Sequence, residues 1–354
     1  MTLEQVISHI RPADRAAVER CRVRWDSIAH PLGSLGLLES QTAQLAGIFR
    51  TDDLPELKPR KLVAMCADNG VVAQGVSQSP QEITAVVTEN FSRGTTCMCR
   101  MAQQTDIEVI PVDLGVCRPC VGDKILDRCI IRGGTRDMSL GPAMTREEAE
   151  RAVLAGVELA GELKAAGCRL LLTGEMGIGN TTTSSALASL LLNRDVESVT
   201  GRGAGLTSAG LERKISVIKQ AIRINRPDPA DPLDCLAKVG GLDIAGMAGL
   251  CLGGALYGVP VLLDGFISCV AALVAVRLCP DANDYLLATH VSAEPAGHWV
   301  LEALGKQAPI HAGMRLGEGS GAVCAVPLLD LALAVYRTSG SFLDAAIDPY
   351  QPLK

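Results

Sequence analysis

The chain has 354 residues and a net charge of −6, long enough for one large domain plus a smaller one and too acidic for a non-specific grip on nucleic acid. Hydrophobic residues make up 48% but aromatics only 3%, and there are 36 glycines, a mix that suits helices packed closely on a buried sheet. Thirteen cysteines, in a chain whose opening MTLEQVISHIRPADRAAVERC lacks a signal-peptide pattern, point to free thiols and a cytoplasmic location.

Residues 1 to about 50 read as helical, with a turn at HPLGSLG. The Pro-bounded link DLPELKPR leads into a first strand, KLVAMCA, ending at Asp68-Asn69-Gly70. A polar loop with Ser79 precedes one helical stretch, QEITAVVTENFSRGTTCMCRMAQQ, and then the strand IEVIPVDLGV. Residues 145–166 form an amphipathic helix with Thr145 as N-cap and acidic residues in its first turn. The strand CRLLLTG runs into the loop GEMGIGNTTT and the helix SSALASLLL. Later strands are VPVLLD and YLLATH, each followed by helical sequence.

Strands alternating with helices imply an α/β fold, a mostly parallel Rossmann-like sheet with helices on both faces. Functional groups then gather beyond the carboxyl ends of the strands, where Asp68, Asp113, Glu175, Asp264 and His290 fall. The uncharged run 244–263 is long enough to span a bilayer. Its interruption at Gly258-Val259-Pro260 and the carboxylate at Asp264 favour a buried helix followed by a strand, hence no membrane.

Three segments carry chemistry. In LLLTGEMGIGNTTTSSALASLLL, Gly174, Gly177 and Gly179 let backbone approach a ligand, and Asn180 to Thr183 offer donors where a helix begins. Free N–H groups and the helix dipole favour an anion there. The loop lacks the Lys of a Walker motif and the GxGxxG spacing of a dinucleotide site; the alternative is a simple capped turn. GRGAGL (201–206), ahead of Arg213 and Lys214, either walls the same anion or is a surface turn with a solvated basic pair. In MRLGEGSGA, Glu318 between glycines is either a general base or the cap of the apolar helix that follows. Cys117-Arg-Pro-Cys120 has ligand spacing but nothing to complete four ligands, so no metal is expected.

Taken together, ADNGV, SPQEIT, VDLGV, GPAMTREEA, GEMGIGNTTT, KVGGLDIAGMAG, PVLLDGF, HVSAEPAG and MRLGEGSGA occur in a telling order. It resembles that of the nicotinate-nucleotide:dimethylbenzimidazole phosphoribosyltransferases of cobamide synthesis, and PLGSLGLLE near the start fits as well. The resemblance implies a large catalytic domain over residues 56–324 and a small helical domain from residues 1–55 and about 325–354. It implies transfer of phosphoribose from nicotinate mononucleotide to an aromatic base, without cofactor or metal, by a dimer. By the same resemblance Glu318 is the general base and Glu175 a second functional carboxylate. Gly177, Ile178, Gly179, Asn180, Thr181, Thr182, Gly203 and Lys214 hold the nucleotide, and Ser79, Val87, Asn69, Met314 and Leu316 surround the acceptor.

Two departures matter. Asn69 stands where the family more usually has His, and Val87 where users of dimethylbenzimidazole can carry a polar residue. Some relatives transfer to phenol or p-cresol as heterodimers of paralogous subunits, so that acceptor is an alternative, as is a non-catalytic partner subunit.

Overall fold

The computed structural model describes residues 1–350. Three helices open the chain: α1 (Leu3–His9), α2 (Arg15–Ser27) and α3 (Leu37–Phe49). Then come β1 (Arg60–Ala67), α4 (Ile83–Arg93), α5 (Cys97–Gln103), β2 (Ile107–Gly115) and a two-residue β3 (Leu126–Asp127). The long α6 (Arg146–Ala165) leads to β4 (Leu170–Met176), α7 (Asn180–Leu192), α8 (Val196–Val199) and α9 (Ser208–Asn225). The chain finishes with α10 (Pro232–Val239), α11 (Leu242–Tyr257), β5 (Val261–Leu263), α12 (Phe266–Leu278), β6 (Leu286–Ala288), α13 (Gly297–Ala303) and α14 (Ser320–Thr338).

All six strands are parallel, in the order β3-β2-β1-β4-β5-β6. The chain builds outward from β1 through β2 to β3, then returns to place β4 on the other side of β1. That reversal opens a crevice at the carboxyl ends of β1 and β4, the usual place for a ligand in such a sheet. The register sets Met65 beside Glu175 and Cys66 beside Met176, so the phosphate-loop candidate leaves the sheet next to Asp68 and Asn69.

Local sequence explains the main elements. A capping box formed by Thr145 and Glu148 starts α6 at the position the sequence predicts. The apolar run 244–263 is divided as expected into α11 and β5, broken by Gly258 in the left-handed region at φ +66°. The core-facing α11 packs on α6 backbone to backbone, because a Cβ on Gly156 or Gly249 would overlap main-chain atoms of the other helix. One expectation is corrected: the single helical stretch after Ser79 is two helices, α4 and α5, separated where Gly94 turns left-handed at φ +70°.

The end segments pack together. The rings of Trp25 and Tyr336 lie 5.3 Å apart, and Tyr336 Oη donates to Asp52 O at 2.8 Å. Helix α14 starts at Ser320 under the sheet's carboxyl edge and reaches the opening helices, so one continuous helix spans the expected 325 boundary.

Candidate active site

A cleft of about 230 Å³ lies at the switch point. Its floor is Glu175 to Thr181, one wall is Arg202 to Ala204, and the other carries Asp264, His290, Ser292 and Glu294. Arg315 to Glu318 close it from above, and Val76 to Gln78 from the side.

Helix α7 has Gly179 as its N-cap, at φ +91°, and no side chain caps it. The loop backbone caps part of the first turn, since Asn180 N donates to Gly177 O at 2.9 Å and Thr182 N to Gly179 O at 2.8 Å. Ile178 N donates to Thr84 Oγ1 at 3.1 Å, which ties the loop to α4. Gly177 is needed because a Cβ would come within 2.6 Å of Ala67 O and Asp243 Oδ2.

Lys214 departs from expectation more sharply. The pair Arg213-Lys214 reads as a solvated surface in one alternative, yet Lys214 is fully buried. It falls on the buried stripe of α9 with Val217, Ile218, Ala221 and Asn225, a helical spacing that the sequence did carry. Its Nζ donates to Thr181 Oγ1 at 2.9 Å and to Gly201 O at 3.1 Å. Burial pulls the ammonium down to about 8, with Glu294 opposing. An anion beside Thr181 would raise it again.

Beneath the loop sits a second cluster. Asn180 Nδ2 donates to Glu175 Oε2 and, at 3.0 Å, to Asp243 Oδ2. Burial and then the Asp243 charge push Glu175 up to about 8, and burial pushes Asp243 up to about 6. The other oxygen of Glu175, Oε1, accepts from Glu318 N at 3.1 Å. Glu175 therefore links the anion loop to the candidate base.

Glu318 sits in the left-handed region at φ +62°, between Gly317 at +78° and Gly319 at +97°. A non-glycine residue held there stores strain of the kind found at functional sites. Glu318 does not cap α14; the N-cap is Gly319 and no side-chain bond comes from it. Burial raises the Glu318 carboxyl, with the Asp264 charge adding and the Thr96 hydroxyl and Met98 N–H opposing. Its Oε2 is buried and has no hydrogen-bond partner, as suits an oxygen kept for a substrate proton. Among the described residues no group of three or more His, Cys, Asp and Glu is arranged to hold a metal ion.

This geometry meets a clear set of relatives. Residues 10–347 match a family model described as phosphoribosyltransferase. A nicotinate-nucleotide–dimethylbenzimidazole phosphoribosyltransferase of Ruminiclostridium cellulolyticum is 47% identical, with 100% of each chain covered. The enzyme of the same name from Acetivibrio thermocellus is 45% identical over 99% of both. The crystal structure of CobT from Thermus thermophilus superposes with a TM-score of 0.89 at 40% identity, covering 95% of this chain and 100% of that one. The chain belongs to this phosphoribosyltransferase family.

Within the phosphoribosyltransferase cleft, the expected residues separate into three groups. Glu175, Gly177, Ile178, Gly179, Asn180, Thr181, Gly203, Leu316 and Glu318 line it. Lys214 and Thr182 lie just behind the wall, both fully buried. Asn69, also fully buried, packs against the loop with Nδ2 reaching Ile178 O at 3.4 Å, whereas Ser79, Val87 and Met314 do not line the cleft, and Val87 packs half-buried against the core. The sequence reading missed Glu294, whose Oε2 is buried without a partner and whose carboxylate faces the Gly203 N–H and Lys214. Its signal was the carboxylate of SAEPAG after the last strand, seen as part of a motif and given no task.

Proposed function

We infer that the protein transfers the phosphoribosyl group of nicotinate mononucleotide to dimethylbenzimidazole or a similar aromatic base, releasing nicotinate and an α-ribosyl 5′-phosphate. The relatives' names supply the reaction. The observation that supports these residues as its agents is the link from Asn180 through Glu175 to Glu318 N, which sets a phosphate cradle and a base at opposite ends of one cleft.

The chemistry follows from that layout. The nicotinate ring leaves with the electrons of its bond to the anomeric carbon, which neutralises its positive nitrogen. The incoming nitrogen forms the new bond to that carbon from the opposite face, and Glu318 takes the proton that the base loses. The loop from Gly177 to Thr182, the segment at Gly203 and the Lys214 ammonium hold the 5′-phosphate, so that reacting atoms meet without further loss of freedom. Ser79, Val87, Asn69, Met314 and Leu316 are the acceptor side of this reading.

The end helices α1 to α3 and the latter part of α14 form the small domain, and the protein works as a dimer in the cytoplasm. Exposed Val23, Leu331 and Leu343 on the end segments support an apolar contact surface, and thirteen free cysteines suit a reducing compartment. The test is a competition in which dimethylbenzimidazole, adenine and phenol are offered together with nicotinate mononucleotide and products are read by mass spectrometry. A ribosyl phosphate of dimethylbenzimidazole is expected to dominate. Absence of any ribosyl product, or a product of phenol alone, would overturn the acceptor reading.

A further inference from the structure

Glu318 needs holding, and the structure shows two groups that do it. The peptide N–H before its Cα is taken by Glu175 Oε1 at 3.1 Å. The N–H after it, on Gly319, is taken by Asp264 Oδ2 at 3.0 Å. The other Asp264 oxygen accepts from Gly321 N at 2.7 Å and from Ala322 N at 3.3 Å. Asp264, directly after β5, thus supplies the cap that α14 lacks in its own sequence.

Asp264 is itself fixed. It is 2% exposed, and its N–H donates at 3.0 Å to Thr173 Oγ1 of β4, which donates in turn to Leu262 O at 3.2 Å. The loop it holds has no slack. A Cβ on Gly319 would come within 2.6 Å of Leu62 Cδ1, and one on Gly174 within 2.6 Å of Glu318 O.

We propose that Asp264 is the positioning residue for Glu318, clamping the N–H groups of Gly319, Gly321 and Ala322 so that the left-handed turn 317–319 presents the base to the cleft. Three successive residues at positive φ, one of them not glycine, relax unless both flanking peptides are pinned. A cap serving stability alone would need only the helix side of this set. Here the bonding begins at the residue directly after the base. The proposal rests on the reading of Glu318 as general base.

The groups facing the pair come from every neighbouring element. They are Glu175 on β4, His290 after β6 with Nδ1 at 3.9 Å from Asp264 Oδ1, Cys269 on α12, Cys324 on α14 and Cys99 on α5. None is a lysine or arginine. Loss of the Asp264 charge therefore acts on Glu318 in one direction, towards easier ionisation.

The test is a cycle of Asp264→Asn, Glu318→Gln and the double variant, with kcat and the nucleotide KM measured across pH. Asp264→Asn is expected to lower kcat about 100-fold, the cost of misplacing a catalytic group by about an ångström, at unchanged nucleotide KM. The acid limb of its profile moves to lower pH. On the Glu318→Gln background the same change lowers kcat no further, because a residue acting through the base has nothing left to position. Equal losses on both backgrounds with an unmoved limb would reduce Asp264 to a structural cap and overturn the proposal. Unchanged kcat in Asp264→Asn alone would do so while leaving the base in place. Unchanged kcat in Glu318→Gln would remove the base reading, and the proposal with it. If Asp264→Asn does not fold, Thr173→Val removes the hydroxyl that anchors the Asp264 backbone N–H and so loosens the residue that carries the carboxylate. A drop in kcat at constant KM supports the clamp, and an unchanged kcat rejects it.

Discussion

Lys214 Nζ donates to Thr181 Oγ1 at 2.9 Å from a position with no solvent exposure. Its two hydrogen-bond acceptors are a hydroxyl and a carbonyl, and although the Glu294 carboxylate faces it, no carboxylate bonds it directly, which leaves the ammonium under-compensated and suited to a bound anion. Because burial holds it at about 8, the ammonium loses its proton as pH rises through that value. The nucleotide KM is therefore expected to be flat below pH 8 and to climb above it, in a Lys214→Met-sensitive manner. Lys214→Met should raise KM roughly 10- to 100-fold, the cost of a charged hydrogen bond, while the ligand-free protein melts no lower than the parent. Initial rates between pH 6 and 10, with melting curves of both proteins, check this.

Glu175 and Asp243 give a prediction about stability. Both are raised in the fold, Glu175 to about 8 and Asp243 to about 6, from 4.5 and 3.8. The folded state then binds more protons than the unfolded chain. Their contribution is full below about pH 4 and is lost as pH rises, through about 6 for Asp243 and about 8 for Glu175. Denaturant midpoints should fall over that window by an amount worth on the order of a few kcal/mol. Glu175→Gln should flatten the upper part of the curve, whatever it does to the overall level. A curve with the same slope above pH 6 in parent and variant would show that Glu175 is ionised in the fold.

Much of this site was legible in the sequence, and the omissions have a common cause. The glycines of 174–179 and the Glu318 turn announce themselves locally, because close approach and positive φ restrict residue type. The parallel sense of the sheet followed from alternation with helices, but its strand order did not, and β3 went unread because its two residues carry no apolar run. Gly94 was a visible break that helical residues on both sides disguised. Asp243 and Glu294 were visible as residues but not as parts of the site, and Asp264 was placed at the strand ends without a task. Each acts on a segment tens of residues away, as Asp264 does on Gly319, and no local spacing records that contact.

The α6–α11 contact yields a prediction confined to packing. A Cβ at Gly249 would overlap the Val153 carbonyl, in a contact with no flexible side chain to yield. Gly249→Ala should destabilise the protein by about 1–3 kcal/mol by overpacking, despite the better helix propensity of alanine. The kcat of the folded protein should be unchanged, since Gly249 lies outside the cleft. Melting temperature paired with active-site titration separates the two.

Gly203 joins the conformational and chemical arguments in one residue. It lies at φ +53°, and a Cβ there would come within 2.9 Å of Thr181 Oγ1, the group that Lys214 holds. Gly203→Ala therefore pushes on the anion pocket from outside while straining the loop by about 1 kcal/mol. The nucleotide KM should rise about tenfold, with kcat at saturation little changed, because the base end of the cleft is untouched. Gly205→Ala is the control: it is also left-handed, at φ +109°, but its nearest neighbour is Gln78 Nε2 at 3.9 Å. It should strain the same loop without moving KM. Equal effects of the two would mean that loop rigidity, and not the contact with Thr181, governs nucleotide binding.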